Sequence, residues 1–77
     1  MPTVLREDGF EFMLYTHDHD VHVHKAGKEV VINLSNENTP VSIREVVRMS
    51  KKGTRKAVSI AQKYQAYLLE KWREIHG

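Results

Sequence analysis

Gly9–Leu34 reads GFEFMLYTHDHDVHVHKAGKEVVINL, and the way it is punctuated decides the fold class. Asp8-Gly9 at its start and Ala26-Gly27 inside it are turn dipeptides, because glycine accepts the positive φ that tight turns demand. After the first turn, Phe10–Tyr15 alternates, with Phe10, Phe12 and Leu14 on one face and Glu11, Met13 and Tyr15 on the other. Val21–Lys25 alternates too, Val21 and Val23 pointing one way and His22 and His24 the other. Beyond the second turn, Val30, Val31 and Ile32 supply the β-branched side chains of a further strand over Lys28–Leu34. With a short strand at Val4–Arg6, this predicts an antiparallel β-meander of three to four strands, its phenylalanines and valines on the covered face.

Beyond the meander the period changes. Residues 36–40, Asn-Glu-Asn-Thr-Pro, read as a loop, and Ser42-Ile43-Arg44-Glu45 matches a capping box. A short helix from about Ile43 to Met49 is expected, burying Ile43, Val46 and Val47. Lys51-Lys52-Gly53 interrupts it, and Thr54 is the candidate cap of a long C-terminal helix. In that helix Ala57, Ile60, Ala61, Tyr64, Leu68, Trp72 and Ile75 recur at spacings of three and four, the pattern of a face lying on a sheet. The expected class is therefore α+β, with a short helix and a long C-terminal helix packed on one small antiparallel sheet.

Length and composition bound the rest. Seventy-seven residues make one domain, spanning 1–77, with one small core. The chain has no cysteine, which removes disulfides and thiolate zinc sites. Its apolar runs are far shorter than the ~20 residues of a membrane span, and the opening MPTVLRED lacks a secretory apolar stretch. A cytoplasmic protein with no membrane partner is the expectation. The formal charge of +2 conceals an asymmetry: residues 1–37 carry three basic and seven acidic side chains. Residues 44–63 carry seven basic side chains against the single acid Glu45. Arg44, Arg48, Lys51, Lys52, Arg55 and Lys56 are thus candidates for contacting RNA or DNA phosphate, or an acidic protein face; the alternative is a solvated helix surface.

The other chemical feature is the run His17 to His24, which holds four of the five histidines and two aspartates. Imidazole suits zinc, copper or nickel, so His17, His19, His22 and His24 are candidate metal ligands, with zinc the cofactor to test. On a strand, His22 and His24 share a face at ~7 Å backbone separation. The same residues suit acid–base chemistry. His22 and His24 beside Asp20, facing Arg44, Arg48 and Lys52, would supply the parts of a metal-independent ribonuclease. The plain alternative is a solvent-side strand face. Tyr64, Tyr67 and Trp72 could stack on bases, although their spacing makes Tyr64 and Trp72 core residues. Met13 and Tyr15 on the outer sheet face offer a surface for a partner or a second copy.

Taken in order, these features resemble a known family. The opening MPTVLREDGFEFMLY is similar to the start of small bacterial proteins of the domain-of-unknown-function family 4160, which begin with MPTVLR, a glycine turn and an aromatic strand. The family's His-Val-His-Val strand is matched by His22-Val23-His24, and its closing helix by Leu68-Leu69-Glu70-Lys71-Trp72 and the terminal Gly77. Departures occur in the middle. Asp20-Val21 stands where two prolines are usual, so either His22 and His24 or Asp20 and His22 occupy the family's histidine positions. Asn33 or Ile32 replaces a frequent tryptophan, and a longer polar loop from Ser35 to Thr39 precedes Pro40. The resemblance implies a protein partner from an adjacent gene, since members often lie beside family 2442 in toxin–antitoxin-like pairs. It implies no reaction. The expected function is a component of such a module acting through protein and nucleic-acid binding. The alternatives are a small ribonuclease toxin using His22, His24 and Asp20, and a metal-binding regulatory domain.

Overall fold

The computed structural model describes residues 3–36 and 38–76. Met1, Pro2 and Gly77 of the family-like ends, and Glu37 of the polar loop, lie outside the described residues. The chain is α+β: strands β1 (Thr3–Glu7), β2 (Phe10–Leu14), β3 (Val21–Lys25), β4 (Lys28–Asn33) and β5 (Ser42–Val47) precede helices α1 (Lys51–Lys63) and α2 (Gln65–His76). The strands form one antiparallel sheet in sequence order, a meander.

Both anticipated turns form. Asp8 and Gly9 have φ of 52° and 83°, and Ala26 and Gly27 have 51° and 78°. Positive φ at both central residues gives the twist that two-residue hairpins require. Each turn then fixes a register: Glu7 pairs with Phe10, and Lys25 with Lys28. The pairing runs straight across the sheet. Phe12, Val23, Val30 and Val46 form one cross-strand row, and Leu14, Val21 and Ile32 belong to another. These rows face the helices. Phe12, Leu14, Val21, Val23, Val30 and Ile32 are fully buried with Ala57, Ala61 and Leu68 of the helices.

The described residues form five strands, one more than the upper expectation, because residues 42–47 are a strand and not a short helix. The capping-box letters are present, but Ile43, Val46 and Val47 are β-branched, and β4 offers a partner that a local helix cannot match. The expected burial fails with the helix: Ile43, Val46 and Val47 are 49%, 43% and 37% exposed, since β5 is the edge strand. A register shift between Val31 and Ile32 leaves Arg44 as an extra residue in β5.

The helix start also differs. Ser50, not Thr54, is the N-cap, its hydroxyl accepting from the Gly53 N–H at 3.0 Å. Thr54 lies inside α1 and is buried. The long helix is divided at Tyr64, whose backbone leaves helical geometry for one residue. Its hydroxyl donates to Glu7 Oε2 at 2.6 Å, tying the division to β1. Directly after it, the buried Gln65 amide donates to the carbonyls of Leu34, Asn36 and Thr39. That amide holds the β4–β5 connection onto the start of α2. The helical stripe is buried through Leu68 and Leu69, while Trp72 and Ile75 are half-buried against the core's margin.

Candidate functional site

Because Val21 and Val23 point inward, pleating turns His22 and His24 to the face of the sheet opposite the helices. There His22 pairs across the sheet with Met13 and Val31, and His24 with Glu11 and Glu29. His22 is closed in on both sides. Its Nδ1 lies 2.7 Å from Glu29 Oε2 and its Nε2 lies 2.9 Å from Asp18 Oδ2. A neutral imidazole has one N–H and donates to one of these carboxylates; an imidazolium donates to both. The Tyr15 ring meets the His22 ring edge-on at 4.4 Å between centroids.

Asp18 is the hub of this network. Arg44 grips it with a two-point fork, Nη1 to Oδ1 at 2.9 Å and Nη2 to Oδ2 at 3.1 Å, and also reaches Asp20 Oδ2 at 2.8 Å. The Asp20 N–H donates back to Asp18 Oδ1. The Arg44 guanidinium, with help from His22 and the Asp20 N–H, holds the Asp18 carboxyl well below the usual carboxylate range; burial opposes this but is outweighed. The same contact with Asp18 raises Arg44.

His24 completes the group. Its Nε2 stands 3.3 Å from Glu29 Oε2 without the alignment of a hydrogen bond. This nitrogen is buried and has no hydrogen-bond partner among the described residues. One ligand atom each from His22, His24 and Glu29 falls within 4.8 Å of the others, a spacing open to a metal ion. The remaining candidates are elsewhere. His17 is exposed beside the Tyr15 ring at 5.6 Å. His19 stacks on Trp72 at 4.8 Å, and His76 covers that indole at 4.0 Å. Trp72 Nε1–H donates to the Asp18 carbonyl, so the stack pins the loop before β3.

The basic candidates divide. Arg44 is committed to Asp18 and Asp20, so the structure separates it from the others. Arg48 is exposed just beyond β5, at a φ of 64°. Lys51, Lys52, Arg55 and Lys56 project from the first two turns of α1, all exposed, and that helix has no acid in its first turn. Lys52, Arg55 and Lys56 line a cleft of about 560 Å³ with Phe10, Ser50 and Gly53. Lys25 enters it from the β3–β4 turn, its ammonium 4.5 Å above the Phe10 ring. Asp8 is the one acid among the described residues of the lining, paired with Lys56 at 3.2 Å. A neighbouring groove of about 340 Å³ is lined by Ile43, Val46, Met49, Lys51, Thr54 and Arg55. Tyr67 is exposed, but its hydroxyl donates to the Val4 carbonyl.

Three participants escape a reading of the sequence alone. Glu29 was legible in principle, because a two-residue turn at Ala26-Gly27 places residue 29 opposite His24. Lys25 joins the basic cleft only through the fold, and the Asp18–Arg44 pairing spans 26 positions with no local signal. No helix among the described residues is long and apolar enough to cross a membrane. Neither the curated proteins nor the solved structures contain a match to the chain. The family comparison does return one, over residues 9–73, which takes in the glycine turn, the histidine strand and the closing helix: the chain belongs to the domain of unknown function family DUF4160.

Proposed function

We propose that this chain is the binding member of a two-gene, toxin–antitoxin-like module, with the N-terminal half of α1 as a phosphate-contacting surface for nucleic acid. The observation that carries the reading is the cleft in which Lys25, Lys52, Arg55 and Lys56 converge at a helix start free of acids. Cations on a helix N-terminus repel its dipole, and a phosphate between them relieves both. The partner protein has its seat on β5, whose outer edge has no partner strand among the described residues. Exposed Ile43 and Val46 beside Lys51 and Arg55 suit strand addition by an apolar segment with acidic flanks. The ribonuclease alternative draws less support, since Asp20 is spent on Arg44 and the α1 cations lie on the other side of the sheet from His22 and His24.

Anisotropy titrations of labelled RNA and DNA against the full chain test this reading. Affinity should fall with salt at a log–log slope of about −3 to −4, as four phosphate contacts imply. Replacing Lys52, Arg55 and Lys56 together by alanine should reduce that slope by about 2–3 and weaken binding across all sequences alike. Absence of binding at low salt would overturn the nucleic-acid reading and leave an acidic protein segment as the occupant of this surface.

A further inference from the structure

We propose that His22, His24 and Glu29 bind one divalent transition-metal ion, with zinc as its representative, on the face of the sheet away from α1. Three independent features of the geometry point there. The first is the donor set: two imidazoles and a carboxylate with ligand atoms mutually within 4.8 Å. A tetrahedral zinc ion with bonds of ~2.0–2.2 Å needs ligand atoms roughly 3.3–3.5 Å apart. The separation of 3.3 Å between His24 Nε2 and Glu29 Oε2 already meets that. The 2.7 Å contact between His22 Nδ1 and Glu29 must open by about 0.6 Å to match. The Glu29 side chain is one quarter exposed near the start of β4, so it has room to move.

The second feature is the buried His24 Nε2. It has no hydrogen-bond partner among the described residues, and a buried polar nitrogen without a hydrogen bond costs free energy that a metal bond would recover. The third is the support behind His22. Its far nitrogen lies 2.9 Å from Asp18 Oδ2, and Arg44 fixes that carboxylate from the other side. A carboxylate on the distal nitrogen is what orients a metal-binding imidazole, because it keeps Nε2 protonated and leaves the Nδ1 lone pair for the ion. Asp18 and Arg44 are then positioning residues. Three protein ligands leave one tetrahedral position open to water or to a group from a partner. His17 and His19, although adjacent in sequence, belong to other contacts and take no part.

His22 Nδ1 and Glu29 Oε2, 2.7 Å apart, would both be ligand atoms, and each binds an ion only in its deprotonated form. Metal and protons therefore compete for the same atoms, and affinity rises with pH. Calorimetric titration of the full chain with zinc chloride in buffers of different ionisation enthalpy tests the whole proposal. The expected result is one saturable site with a buffer-dependent enthalpy that reports proton release. Asp18→Asn should weaken binding by about 10–100-fold and change the number of protons released. His24→Ala and, separately, Glu29→Gln should weaken it further. A His17→Ala/His19→Ala double variant should bind as the parent does. Each variant is checked by its melting temperature without metal, and Glu29→Gln serves if His24→Ala fails to fold. Weak binding at several sites, or a loss in the His17/His19 variant as large as in His24→Ala, overturns the proposal.

Discussion

Phe12→Ala should lower the unfolding free energy by about 3–5 kcal/mol, a large part of the stability of a domain this small. Phe12 is fully buried in the middle of β2, in register with Val23, and beneath the helices. Its removal deletes an aromatic ring from a core that β2, β3 and both helices share, and the surrounding strands cannot collapse without breaking their ladders. The matching control is Ile43→Ala. Had residues 43–49 been a core helix, Ile43 would be costly to remove; on the exposed edge strand it should change stability by only about 0.5 kcal/mol. Urea denaturation of both variants at one pH decides the matter. Equal losses at the two positions would mean that β5 is not the solvent-facing edge of the sheet.

The second large effect is acid sensitivity centred on Asp18. Its carboxyl is held below its ordinary value, mainly by the Arg44 fork. A group whose folded-state pKa is depressed stabilises the fold fully above its unfolded pKa of ~3.9 and loses that contribution as pH falls further toward the folded value. The parent protein should therefore lose stability steadily below about pH 4. Asp18→Asn removes the charge that Arg44, His22 and the Asp20 N–H share. Because the Arg44 side chain is 47% exposed and water can resolvate it, the cost at neutral pH should be about 2 kcal/mol, less than a sum over separate charged hydrogen bonds. The deficit should shrink below pH 4 as the parent loses the same interactions. Urea midpoints measured from neutral pH downward check this. A deficit that stays constant with pH would show that Asp18 acts through shape alone.

The two hairpins were legible because their turns are local: the glycines at 9 and 27 choose the turn, and the turn sets the register of the strands beside it. Alternation then assigned Phe10, Phe12, Leu14, Val21 and Val23 to the core, and all five are buried. It also set His22 and His24 on one shared face, since their side chains must oppose those of the valines. The helical stripe was readable through Leu68 for the same reason, while Trp72 at its end proved half-buried in a stack with His19 and His76.

Residues 42–47 mark where local information ends. A capping box and a β-branched strand coexist in Ser42–Val47, and propensities of a few tenths of a kcal/mol per residue cannot choose between them. Pairing with β4 chose, and it moved Ile43, Val46 and Val47 from an expected interior to an exposed edge. That pairing also carried Arg44 to Asp18 and Asp20, out of the basic segment where charge counting had put it. The histidine run was sorted in the same way: sequence proximity gave four candidate metal ligands, and pleat, hairpin register and the Trp72 stack left His22 and His24 together with Glu29. The sequence by itself determined the alternating strands, their turns and the charge asymmetry, all of which depend on neighbours within a few residues. Only the tertiary structure decided the fifth strand, the partners of Arg44 and the membership of the histidine cluster, because each depends on which distant segment wins the competition for contact.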